Sequence, residues 1–216
     1  MLTPERKWWY QQRGNLAVEA LRKKRFNAAF FAERDHALAH ILERVPHGSV
    51  IGFGDSLTLR ELKLYDALEK HGCRLVNPPS LQDQLSAQDK RELRFGCFTC
   101  DVYFCSANAI TLDGKIVNTD GIGNRVAPTI FGPPKVIIVA GANKLVADLD
   151  GAFARIRQEA APLHAWRDGY EVPCGHTAVC NECRSPNRMC RVTVIHEGPT
   201  KQTETHVVLI GEDLGL

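Results

Sequence analysis

No run of apolar residues in this sequence approaches the roughly 20 that a helix needs to cross a bilayer, so no membrane partner is expected. Charge of one sign is equally scarce. The 27 Lys and Arg stand against 25 Asp and Glu, a formal net charge of +2. That is too little to steer the chain onto nucleic acid or an anionic surface. The opening Met-Leu-Thr-Pro-Glu-Arg-Lys lacks the apolar core of a secretory signal, and a cytoplasmic location is the expectation. Long repeats and low-complexity tracts are missing too. What remains is a chain of 216 residues, 44% hydrophobic, long enough to bury a sizeable core in one main domain. Its eight cysteines have to be explained in a reducing compartment, where clustered thiols lean towards metal or redox work.

The densest information lies in Ser106 to Gly141, where short apolar runs alternate with loops rich in Asn, Asp, Thr and Gly. A core does not need so many short polar side chains at strand ends. A pocket at the carboxyl edge of a sheet does. Around it, strands and helices alternate. Thr3-Pro4-Glu5 starts a helix running to about Arg25. Its Trp8, Trp9 and Tyr10 either staple it to the domain or offer a surface to a partner. Phe26–Phe31, Ser49–Phe53, Arg74–Asn77 and Val102–Cys105 read as strands. Arg34–Val45, Leu59–His71, Gln82–Arg94 and Leu145–Ala160 read as helices, the last ended by Pro162. Two β-rich runs, Arg191–His196 and His206–Ile210, close the chain. The expected architecture is a three-layer αβα sandwich around a mainly parallel, Rossmann-like sheet. Residues 1–25 form its N-terminal helix, 26–165 the α/β domain, and 166–216 a Cys-rich segment with closing strands packed on the same domain.

Gly54, Asp55, Ser56 and Thr58 sit between a strand and a helix, where backbone N–H groups and hydroxyls can face an anion. The loop has neither the Walker A lysine nor the spacing of G-x-G-x-x-G. An ordinary turn with Ser56 or Thr58 as helix cap explains it as well. Asn118, Asn124 and Asn143 offer paired donors and acceptors, and Arg125 can grip a carboxylate or phosphate with two N–H groups. Asp120 and Asp113 are the acid/base candidates, provided burial raises one of them. Asp113-Gly114 also carries the signature of a tight hairpin, which is the favoured reading there. Gly121 and Gly123 leave backbone open beside Asp120 and Arg125, and Lys144 follows a strand ending in Gly141.

Cys174, Cys180, Cys183 and Cys190 form C-x5-C-x2-C-x6-C. Four thiolates in a segment with little core of its own can wrap one tetrahedral ion or one cubane cluster. Arg184, Arg188 and Arg191 would offset their charge. His176 is a substitute ligand on paper. A second group, Cys97, Cys100 and Cys105 with Cys73, is held as a weaker metal site, because Cys105 falls in a buried strand.

Taken together, Gly54-Asp55-Ser56-Leu57-Thr58, Asp101, Ser106-Ala107-Asn108-Ala109-Ile110-Thr111, Asp113-Gly114, Asn118, Asp120-Gly121, Gly123-Asn124-Arg125, Gly141 and Asn143-Lys144 resemble the LUD-domain family of lactate-utilisation proteins (LutC/YkgG-like). The resemblance spans about Arg22 to the C-terminus and includes the Cys-rich tail of one subset. It implies a fold similar to glucosamine-6-phosphate deaminase, ribose-5-phosphate isomerase and CoA-transferase domains. It also implies a pocket for a small anionic metabolite that includes Asn108 and Thr111. The family is associated with oxidation of L-lactate to pyruvate beside iron–sulfur partner subunits, which tilts the four-cysteine centre to [4Fe–4S] over Zn2+. No catalytic residue carries over, and neither a flavin site nor a His-based hydride-transfer arrangement is visible. The expected function is an accessory or electron-transfer subunit acting on lactate or a related hydroxyacid. The alternatives are a stand-alone isomerase- or transferase-like enzyme with structural zinc, or a non-catalytic binding module. Self-assembly of the chain stays open.

Overall fold

The computed structural model describes residues 2–78, 80 and 85–216. Six parallel strands form the central sheet in the order β1 (Asn27–Phe31), β10 (Glu204–Ile210), β7 (Lys135–Gly141), β4 (Val102–Cys105), β2 (Val50–Phe53) and β3 (Arg74–Leu75). Both faces are covered, and β7 shows why. Val136, Ile138 and Ala140 enter a core with α1 (Pro4–Lys23). Ile137 and Val139 enter the opposite core, with α2 (Arg34–Leu42), α3 (Leu57–Glu61) and α4 (Leu64–Lys70). A continuous apolar run is what a strand buried on two sides requires, and each such side chain contributes about 1.5–3 kcal/mol. The chain is a three-layer α/β sandwich, as expected.

The N-terminal helix starts as its sequence says, with Thr3 accepting from Arg6 N at 3.3 Å and Pro4 in the first turn. Its buried face is Tyr10, Gly14, Ala17, Val18 and Leu21. The Tyr10 hydroxyl donates to Asp213, so Tyr10 staples the helix while Trp8 stays exposed.

Four corrections matter for the site. The expected helix Leu59–His71 is two short helices, α3 and α4, separated at Lys63 with φ of 55°. The helix expected over Leu145–Ala160 begins later, at Leu149, because Leu145–Val146 form β8. It also runs on through Pro162: α6 (Leu149–Arg155), a π-helical turn over Ile156–Ala160, and α7 (Ala161–Arg167) are continuous. Proline is tolerated because it sits in the first turn of α7. The polar helix expected from Gln82 is seen as α5 (Ala87–Gly96), with Gln82 itself outside the described residues.

A second, four-stranded sheet was not anticipated: β8, β5 (Ala109–Thr111), β6 (Ile116–Asp120) and β9 (Val192–His196). Asp113-Gly114 is the β5–β6 hairpin turn, with Gly114 at φ 85°. Strand β9 pairs antiparallel with β6, which ties the Cys-rich segment to the domain. Among the described residues no helix is long and apolar enough to cross a membrane.

Candidate functional site

Strands β2, β4 and β7 are neighbours and parallel, so their carboxyl ends lie side by side. Each is followed by a side chain that reaches one point. Thr58 follows β2, Ser106 follows β4 directly, and Lys144 follows β7. The Lys144 amine lies 2.7 Å from Thr58 Oγ1 and 2.9 Å from Ser106 Oγ. Ser106 donates to Thr58 at 3.2 Å, and Thr58 donates to the Leu214 carbonyl at 3.2 Å. Lys144 is 3% exposed. Burial, followed by the nearby Arg155 guanidinium, brings its pKa down to about 7.

This cluster is the floor of a cavity of about 480 Å3, within the usual range for small-molecule sites. Of the residues singled out in the sequence, Asp55, Ser56, Thr58, Asn108, Asn118, Asp120, Gly121, Asn124, Arg125 and Lys144 line it. Several of them are committed to holding the loops. Asn118 accepts from Asn108 N at 2.9 Å and donates to the Ser106 carbonyl, while Asn108 accepts from Thr119 N at 2.8 Å. Asp120 accepts from Gly121 N at 2.7 Å and Arg125 N at 2.9 Å, and pairs with the Arg125 guanidinium at 3.6 Å. With both oxygens engaged it clasps the Gly121–Arg125 loop at the cavity wall. Ser56 also caps α3, through Leu59 N at 3.5 Å, and Asp55 pairs with Arg60 at 2.7 Å.

Gly54, Thr111, Asp113, Gly123, Gly141 and Asn143 do not line the cavity. Thr111 and Lys115 both donate to Asp113 in the hairpin, and these bonds, Lys115 first, hold the Asp113 carboxyl below its ordinary value. A carboxylate so placed is no general acid. Asp113→Asn is therefore expected to leave anion affinity within about twofold and stability within about 1 kcal/mol, since its side chain is 52% exposed; denaturant melts and a ligand titration check both. Gly141 has a packing role. A Cβ there would meet Glu212 O and Leu214 N, each at 2.7 Å. Asn143 accepts from Leu214 N at 3.2 Å.

Ser106, which opens the Ser106–Gly141 stretch, also lines the cavity, and other lining groups had no sequence signal as site residues: Arg94, His164, Arg167 and Tyr170. His164 and Arg167 lie beyond the proline that was read as a helix end. Asp168 pairs with both, at 3.2 Å and 2.6 Å.

Beyond the cavity wall lies a second, smaller space of about 100 Å3, lined by all four cysteines of the tail, Cys174, Cys180, Cys183 and Cys190. All are free thiols. Burial pushes the Cys190 thiol up and the Arg188 guanidinium opposes it; Cys174, Cys180 and Cys183 act on it electrostatically. Arg188 donates to the Cys190 carbonyl at 2.8 Å and the Cys183 carbonyl at 3.0 Å. Among the described residues no three His, Cys, Asp or Glu side chains close up as a ready site for a metal ion. The thiols surround a volume. Cys190, Arg188 and Met189 belong to both cavities. His176 turns away to Glu171 at 3.2 Å. The weaker four-cysteine set is ruled out, because Cys97, Cys100 and Cys105 pack in one core and Cys73 against the other, across the sheet.

Comparison with known proteins agrees with this architecture. The LUD domain family model matches residues 15–210. The crystal structure of a DUF162 family protein from Deinococcus radiodurans is similar with a TM-score of 0.54, covering 93% of this chain and 97% of that one. At 11% identity that likeness speaks for the fold alone. No curated protein matches. With the family model spanning most of its length, the chain belongs to the LUD-domain family.

Proposed function

We propose that this protein is an accessory or electron-transfer subunit in the oxidation of lactate or a related small hydroxyacid. The metabolite would occupy the larger cavity, and Cys174, Cys180, Cys183 and Cys190 would hold a [4Fe–4S] cluster beside it. The observation that carries the reading is the shared wall, since Cys190 faces both spaces. A small acid in the pocket would lie against a ligand of the cluster, and electron transfer favours that proximity. When bound, the cluster supplies one-electron chemistry at a potential tuned by charge and hydrogen bonds around its sulfurs. Arg188 offers that tuning, clasping two of the cysteine carbonyls. Arg125, Arg94 and Arg167 supply positive charge for a carboxylate.

Either a zinc ion or a cubane would draw on the four tail cysteines, which line one small space. The irregular C-x5-C-x2-C-x6-C spacing and the iron–sulfur company of the family support the cluster. Iron–sulfur partner subunits would carry the electrons onward. Protein purified without oxygen is expected to show broad visible absorbance, bleached by dithionite, with iron and sulfide in equal amounts. Stoichiometric zinc on a colourless protein would end the cluster reading, and a metal-free folded protein would end both.

One observation favours a second reading. The buried Lys144 amine between two hydroxyls suits acid–base work in a stand-alone enzyme on phosphorylated or CoA-linked metabolites, with zinc merely structural. Turnover of such a compound by the zinc protein, lost in Lys144→Met, would support it.

A further inference from the structure

We propose that Lys144, Ser106 and Thr58 form an anion-triggered proton site, in which the amine is neutral in the empty pocket and takes up one proton when the oxyanion of a small metabolite reaches it. This deepens the pocket reading above and rests on it only for the ligand's place.

The hydrogen-bond inventory carries the inference. The Thr58 proton is spent on the Leu214 carbonyl, and the Ser106 proton on Thr58. Both hydroxyl oxygens therefore present lone pairs to Lys144, at 2.7 Å and 2.9 Å. A neutral amine has two N–H groups, both satisfied here, and leaves only its lone pair unmet, at less cost than an unpaired charge. An ammonium has three, and the third has no partner among the described residues. Nor does any carboxylate form an ion pair with it there, although the residue is 3% exposed. An unpaired buried cation is costly, and losing the proton relieves the cost.

The surrounding charges are mixed and act in the same sense only on balance: Arg155 opposes a proton on Lys144 most, Glu61 favours it next, Arg125 opposes it and the Cys105 thiol favours it. Glu61 is already engaged by Gly215 N at 2.7 Å, and burial holds the Cys105 thiol protonated, with its pKa raised to about 12. The missing partner is an anion delivered through the cavity that Lys144 lines. On arrival of an oxyanion, one N–H bond forms from a solvent proton and the ion pair closes. A carboxylate and a phosphate share this chemistry.

The test is calorimetric titration of the protein as purified with L-lactate, pyruvate or inorganic phosphate, in two buffers of different ionisation enthalpy. At pH 8 the expected result is an uptake approaching one proton per anion, fading below pH 6, with affinity falling about tenfold per pH unit above neutrality. Lys144→Met should abolish the uptake, and L-lactate and pyruvate, which do not titrate in this range, give the uptake free of any ionisation of the ligand. Lysine labelled at Cε offers a readout on the unmodified protein: one resonance should titrate near neutrality and move to higher pH with anion. Response to the carboxylates alone assigns a metabolite acid, and response to phosphate alone a phosphorylated ligand. Binding without proton uptake, or uptake that persists in Lys144→Met, overturns the proposal and leaves the cluster reading intact. Failure of all three anions to bind overturns it too, while the absorbance of the cluster still decides the other claim.

Discussion

Replacing Arg155 with methionine should cost about 3 kcal/mol of stability, a fall of roughly 6–12 °C in Tm. The guanidinium is only 5% exposed and donates to Asn143 O at 3.1 Å and Asn108 O at 2.6 Å. Methionine keeps most of the packing volume but leaves two part-buried carbonyls without these donors, each costing about 1–3 kcal/mol. Glu159, the third partner, is half exposed and rehydrates at little cost. The two carbonyls belong to the loops that present Lys144 and follow Ser106, so anion affinity should drop as well. Thermal melts and the same calorimetric titration measure both. A variant as stable as the parent would mean that these carbonyls find water, and that the clamp is dispensable.

Lys144→Met has the opposite sign, and its effect depends on pH. The native amine titrates near 7 against an ordinary 10.5, so between those values the unfolded chain binds a proton that the native protein does not. Native stability therefore rises with pH across that window and is lowest below pH 7. Removing the amine removes this dependence. At pH 6 the variant is expected to be more stable than the parent by several kcal/mol, with on the order of 5 kcal/mol as the ceiling, and near pH 10 the two should converge. Urea unfolding at five pH values would show it. A constant difference across the range would mean that Lys144 stays charged in the empty pocket, and the proton site would fall with it.

Together the two variants separate architecture from chemistry. Arg155 touches no ligand and positions the loops. Lys144 stands at the base of the cavity, and its loss should improve the empty protein while disabling anion capture, which is the usual mark of a functional group held at a cost in stability.

Much of this was legible in the chain. A strand ending in Gly141 was readable, Thr3-Pro4-Glu5 announced a helix start, and Asp113-Gly114 a hairpin. The four tail cysteines were assigned together by spacing alone, and they line one space. The second sheet was not legible, because β8 is two residues long and β9 reaches β6 from more than 70 positions away. Pro162 misled in a specific way: its ring is tolerated at the start of α7, just after a π-helical turn.

Local pattern, then, determined the alternation of strands and helices, the parallel sheet and the position of the pocket at its carboxyl edge, since periodicity and turn chemistry act over a few residues. Which polar side chains work in that pocket was decided only by the tertiary structure. Asp120 and Asn118 look as reactive in the sequence as Lys144 does, yet folding ties both side chains to loop backbone. It leaves the lysine buried between two hydroxyls without a countercharge. That difference is one of partners, and partners are brought together only when β2, β4 and β7 line up.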